Sequence, residues 1–147
     1  MTSISIRALN ASYSDMEKFH DHDADRFADE CEAGLPRVPL SPFYTFMFAC
    51  QFGGVACNGG WAHALRCYSG ELKLIDSMLA NLGDTQLAIL IHDCGTLIEK
   101  IMHEETEPDE RGKAHEQIDK LINLEPDYLD PMIEEYFDKQ FGDLETR

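Results

Sequence analysis

Any chemistry in this chain would have to come from a small set of histidines, cysteines and carboxylates. His63 and Cys67 stand four apart, so on a helix they share one face and could ligate a metal or act as a thiol with its base. His20 and His22 flank Asp21, and His92-Asp93-Cys94 makes a third cluster. None completes a ligand set or a catalytic triad. His20 and His22 point about 200° apart on a helix of 3.6 residues per turn, and free cysteine usually serves as a small buried hydrophobe. Five cysteines, Cys31, Cys50, Cys57, Cys67 and Cys94, include no CxxC pair and so fit reduced thiols better than a disulfide framework or a zinc ribbon. The residues therefore point to no catalytic group and no cofactor, with His63 and Cys67 as the one alternative for metal binding or an enzyme.

Asn58-Gly59-Gly60-Trp61 is the second candidate. Backbone N–H groups at a glycine-rich helix start can hold an anion. The same dipeptide is also ordinary turn chemistry, with Asn58 as a cap or turn residue and Trp61 as a core anchor.

The third candidate is charge. The 147-residue chain carries 28 acids against 12 bases, a net charge of −16, which repels nucleic-acid phosphates and anionic membranes and makes a basic surface its natural partner. Residues 1 to 33 hold eight acids and three bases, residues 34 to 103 five and four, and residues 104 to 147 fifteen and five. The centre is nearly neutral and the ends carry the field. Asp21, Asp25 and Asp29 have i, i+4, i+8 spacing, while Glu104, Glu105, Glu107, Asp109, Glu110, Glu116 and Asp119 offer a second row. Carboxylates three or four apart on a helix lie about 5 to 6 Å from one another, and duplex DNA presents a charge every ~1.7 Å of axis. Two acidic helices can thus imitate phosphate rows, or the acids can simply form a solvated surface.

The elements that must position these groups read as helices throughout. A chain of this size buries about 70% of its unfolded surface as one domain, so residues 1 to 147 are taken as a single helical domain with a loosely ordered leader at 1 to 13. Ser14-Asp15-Met16-Glu17 has capping-box form and opens a helix to about Glu32, with Met16, Phe19, Phe27 and Cys31 inward. Three prolines between Gly34 and Pro42 make an extended connection. Ser41 and Pro42 start an all-apolar, buried helix from Phe43 to Ala56, in which Gly53-Gly54 allows another backbone to approach. Trp61 to Tyr68 is a short helix, Ser69-Gly70 a break, and 70 to 82 a helix stopped by Gly83. Leu87, Leu90, Ile91, Cys94, Leu97, Ile98, Ile101 and Met102 mark one long amphipathic helix from Asp84 or Thr85. Ile118, Leu121 and Ile122, then Met132, Ile133, Tyr136 and Phe137, supply the last two inner faces. No period-2 strand pattern, internal repeat or membrane-length apolar run occurs. The expectation is an all-α bundle of about six helices in the cytoplasm, with no membrane association.

At Asn58-Gly59-Gly60-Trp61 and Tyr68-Ser69-Gly70 the sequence resembles a bacterial family catalogued as a domain of unknown function. Its hallmark is Asn-Gly-Gly, an aromatic and, some eight residues on, a small polar residue and glycine; one described branch is a DNA mimic. The resemblance runs over the preceding buried helix, the motif, the helix ending at Leu82-Gly83 and the Leu129 to Phe137 segment. Where the family tends to carry a glutamine, further aromatics and an asparagine before the serine, this chain has His63, Ala64, Leu65 and Cys67. The resemblance implies an all-helical fold, dimerisation and, in the mimic branch, capture of a DNA-binding transcriptional regulator.

Charge and resemblance together lead to an expected non-catalytic acidic interaction protein. It would bind a basic partner, such as a transcriptional regulator, in competition with nucleic acid and without binding nucleic acid itself. A self-associating structural subunit, for example a homodimer, is the further alternative.

Overall fold

The fold is built on one long helix whose buried positions run right round its axis. In the computed structural model, residues 13–32 and 38–141 are described, with the backbone alone for Tyr13, Ser14, Asp15, Lys18, His22 and Cys31. The leader, the expected Ser14 cap, Gly34 to Arg37 and the chain beyond Phe141 lie outside the described side chains. Among the described residues there are eight α-helices and no strand: α1 Tyr13–His22, α2 Ala24–Glu32, α3 Pro42–Cys67, α4 Leu72–Leu82, α5 Gln86–Asp93, α6 Gly95–Met102, α7 Pro108–Leu121 and α8 Asp130–Phe141. A 3-10 turn, Ser69–Glu71, joins α3 to α4.

Ser41 caps α3 as its position suggests, its Oγ accepting the Tyr44 N–H at 3.3 Å with Pro42 in the first turn. Phe43, Thr45, Phe46, Met47, Phe48, Ala49, Phe52, Gly53 and Ala56 are all buried along it. Helices α1, α4, α6, α7 and α8 pack around this core element. Burial of each large apolar side chain contributes about 1.5–3 kcal/mol, so the aromatic run makes α3 the energetic centre of the molecule. A Cβ at Gly53 would meet side chains where α8 begins, Ile133 Cδ1 at 3.4 Å and Leu129 Cβ at 3.9 Å, which is ordinary van der Waals contact, so the expected close approach of another backbone does not require glycine here. Its neighbour Gly54 faces open space.

The proline-rich connection is tied down at Leu40. Its N–H donates to Ser77 Oγ at 2.9 Å and its carbonyl accepts from Asn81 Nδ2 at 3.0 Å, so α4 satisfies both backbone groups of Leu40. Asn81 Nδ2 also donates to Thr45 Oγ1 at 2.8 Å, fixing α4 against α3. Gly83 ends α4 in the left-handed region (φ 80°, ψ 20°), and the Asp84 N–H returns to the Leu79 carbonyl at 2.9 Å, the six-to-one bond of a helix stop. Asp84 then accepts the Leu87 N–H at 3.2 Å and starts α5.

The helix count exceeds six because two long periodic stretches are interrupted. Asp23 breaks the first: its Oδ1 accepts the Arg26 N–H at 3.1 Å, making it the cap of a new helix. Cys94 breaks the second, with φ −86° and ψ 4°, and its N–H is shared between the Leu90 and Ile91 carbonyls. Periodicity survives such bends, so the apolar pattern alone reads through them. The two helices expected around Asn58-Gly59-Gly60 are two helical segments of the Pro42–Cys67 run, joined across a kink at the non-helical Gly60. Three residues expected inside lie outside: Met16 at 37% exposure, Met102 at 46% and Leu121 at 47%. Met102 and Leu121 are the last residues of their helices, where Ile101, Ile118 and Ile122 already fill the inward positions.

Candidate functional site

Gly60 adopts φ 87° and ψ 175°, a region essentially restricted to glycine. The kink restarts the helix, which exposes new orphan N–H groups at Trp61 and Ala62. The Ala62 N–H donates at 3.0 Å to Asp119 Oδ1 of α7, so the cap comes from another helix rather than from Asn58. A carboxylate also suits the positive end of a helix. Trp61 is 2% exposed and its Nε1–H donates to the Leu124 carbonyl at 2.9 Å. The motif thus works as a bend locked by α7 and the segment after it, and the helix-start donor that could hold a foreign anion is occupied by Asp119.

Asn58 and Gly59 are exposed. A Cβ at Gly59 would come within 2.9 Å of His63 Cβ, so glycine lets His63 lie along the helix. Ser69 is half-buried and Gly70 exposed in the 3-10 turn; Gly70 has neither positive φ nor a neighbour within 4 Å of an added Cβ, so nothing in the described structure requires glycine there.

The ten candidate acids are all exposed, but they do not form two helical rows. Asp21 ends up on α1, and only Asp25 and Asp29 keep their i, i+4 relation within α2, because Asp23 intervenes. Glu104 and Glu105 sit in the α6–α7 turn, Glu107 is the residue before α7, and Asp109 and Glu110 fill its first turn. Acids there complement the helix dipole. Glu116 is exposed further along α7, and Asp119 is the structural cap just described.

The two acidic groups are held at opposite ends of α3. Phe19 and Phe27 pack on Phe43 with ring centroids 4.6 and 5.6 Å away, and Tyr44 Oη donates to the Glu30 carbonyl at 3.1 Å, placing α1 and α2 at the start of α3. Helix α7 meets the other end at Ala62 and Arg66. Phe43 and Arg66 are 23 residues apart, a span of at most ~35 Å at 1.5 Å per residue.

His63 Nε2 and Cys67 Sγ lie 3.8 Å apart on the surface. Among the described residues no group of three or more His, Cys, Asp or Glu side chains could hold a metal ion. His92 pairs instead with Asp76 at 3.1 Å, and Cys94 is fully buried, its thiol pKa raised by burial and then by Asp93. Exposed Cys57 contacts the Pro126 carbonyl at 3.4 Å, and its pKa is raised by partial burial, Asp130 and Asp127. Neither shift favours a thiolate nucleophile. No described helix is long and apolar enough to cross a membrane.

Arg66, Arg111 and His115, none of them a candidate from the sequence, line one cleft. The i, i+4 pair His115–Asp119 was visible in the sequence; the convergence of two arginines 45 positions apart was not. Compared with protein-family models, curated proteins and solved structures, the chain finds no match.

Proposed function

We propose that the protein is a non-catalytic acidic interaction module that binds a basic surface of a partner protein, such as a DNA-binding regulator, and competes there with nucleic acid. The observation that carries this reading is the state of its carboxylates. Every candidate acid except Asp119 is exposed and free of an ion pair among the described residues. Lys139–Glu135, at 3.3 Å, is the one pair there between a lysine or arginine and a carboxylate. Unpaired surface charge is available to an incoming cationic surface and steers its approach. Two patches separated by α3 suit a partner with two basic faces, and the finer idea of phosphate imitation rests on the α2 pair Asp25 and Asp29 together with the α7 end.

The test is a competition. A basic protein retained by the immobilised full chain at low salt is identified, and its complex with duplex DNA is titrated with the wild type and with Asp25→Asn/Asp29→Asn and Asp109→Asn/Glu110→Gln variants. The expected result is displacement that weakens steeply with salt and by about three- to ten-fold in each variant, as for loss of surface charge pairs. Retention insensitive to salt, or displacement unchanged by both variants, would sink the reading.

A further inference from the structure

The last turn of α3, the end of α6 and the first half of α7 enclose a cleft of about 310 Å³, lined by Arg66, Ile101, Pro108, Arg111, Gly112 and His115. In a chain of net charge −16, two arginines and a histidine line this cleft and no acidic residue does. Neither arginine makes an ion pair among the described residues.

Arg66 has an ordinary explanation, since a cation in the last turn of α3 complements the negative end of the helix. Arg111 has none. It stands one turn into α7, near the positive end, where a cation is disfavoured. Its Nε is buried and has no hydrogen-bond partner, and an unmet buried donor on a charged group costs more than a neutral one. His115 is positioned by the same carboxylate that restarts α3: its Nδ1 lies 3.6 Å from Asp119 Oδ2, while Asp119 Oδ1 holds the Ala62 N–H. The kink at Gly60 and the cleft wall therefore share one support. Gly112 leaves open room beside α7, since nothing lies within 4 Å of a Cβ placed there.

We propose that this cleft binds a small phosphate monoester, its dianion between Arg66 and Arg111 and its organic part against Ile101 and Pro108. Guanidiniums match phosphate oxygens with paired N–H donors, and a dianion compensates both arginines where a carboxylate compensates one. The volume sits at the lower end of small-molecule sites, roughly 300–1,000 Å³, which fits a single small ester rather than a polymer. The cleft shares the start of α7 with the acids Glu107, Asp109 and Glu110, none of which lines it, and the proposal does not rest on the partner reading.

The test is an NMR titration of the full chain, labelled with ¹⁵N, with phenyl phosphate at constant ionic strength. Inorganic phosphate, acetate and sodium chloride are parallel titrants. Saturable shifts centred on the Arg111 Nε–H and the Gly112 amide are expected, with phenyl phosphate about ten-fold tighter than acetate and tighter than inorganic phosphate. Arg66→Gln and Arg111→Gln should each weaken it about ten-fold, the scale of a lost charge-assisted hydrogen bond, while Lys139→Gln, outside the cleft, leaves it unchanged. Shifts that match those of sodium chloride and do not saturate overturn the site. Acetate or inorganic phosphate binding as tightly as phenyl phosphate overturns the assignment to an organic monoester. The wild-type titrations decide both points even where an arginine variant does not fold.

Discussion

The two ends of α3 are held by different physics. At its start, Phe19, Phe43 and Phe141 pack edge to face, Phe19 lying 4.6 Å from each of the other two, and Arg26 lies 4.8 Å over the Phe141 ring. Nearly all of that is apolar area, tolerant of orientation. At its end, Gly60 bends in a conformation restricted to glycine, Asp119 caps the restart, and the Trp61 Nε1–H reaches one specific carbonyl. Asp25 and Asp29 at the start of α3 make no such structural contact, unlike Asp23, which caps α2, and Asp119, which caps the restart of α3. Surface charge among the described residues is therefore two populations, one without a structural contact and one structural.

Removing volume should cost most and should not distinguish the ends: Phe43→Ala and Trp61→Ala are each expected to lose about 3–5 kcal/mol in denaturant unfolding. A Phe43→Ala loss under ~1 kcal/mol would break the idea of an aromatic anchor at the start of α3. Gly60→Ala is the next largest, about 1–3 kcal/mol for forcing a Cβ into that backbone region, with Asp119 Oδ1 only 3.4 Å from the new atom. An unperturbed variant would show that the kink relaxes freely. Asp119→Ala should cost about 1 kcal/mol as a lost helix cap, while Asp25→Ala and Asp29→Ala stay within about 0.5 kcal/mol as exposed substitutions. Equal effects would erase the distinction between structural and free acids. Gly54→Ala, in open helical space, should instead stabilise by about 0.4–1 kcal/mol.

The smallest effect is a pH dependence at the start of α8. Asp130 has its pKa raised by burial and by the charges of Asp127 and Glu134. A carboxyl whose folded pKa exceeds its unfolded one binds more protons when folded, so it lowers stability as pH rises through that window and leaves the penalty in place at neutral pH. Asp130→Asn should raise Tm at neutral pH and converge on the wild type below the ordinary aspartate range. A gain that persists in acid would assign the effect to something other than charge.

Much of the fold was legible in the chain. Ser41-Pro42 as a helix start, Gly83 as a helix stop and the inward Leu87, Ile91, Cys94 and Ile98 depend on residues within one or two turns of one another. Asp23 is not legible as a cap because it lies inside an otherwise continuous acidic pattern. The i, i+4, i+8 row through Asp21, Asp25 and Asp29 failed with it. Asp119 reads along the chain as one more surface acid because its partner, the Ala62 N–H, is 57 positions away.

By itself the sequence determined an all-helical chain with a neutral aromatic centre, acidic ends and a glycine bend, because propensity, periodicity and turn chemistry are local. Only the tertiary structure decided which carboxylate caps the bend, that the acidic groups sit at opposite ends of α3, and that Arg66, Arg111 and His115 share one cleft. Those facts are set by how helices distant in sequence dock, and docking depends on side-chain shape across an interface rather than on spacing along the chain.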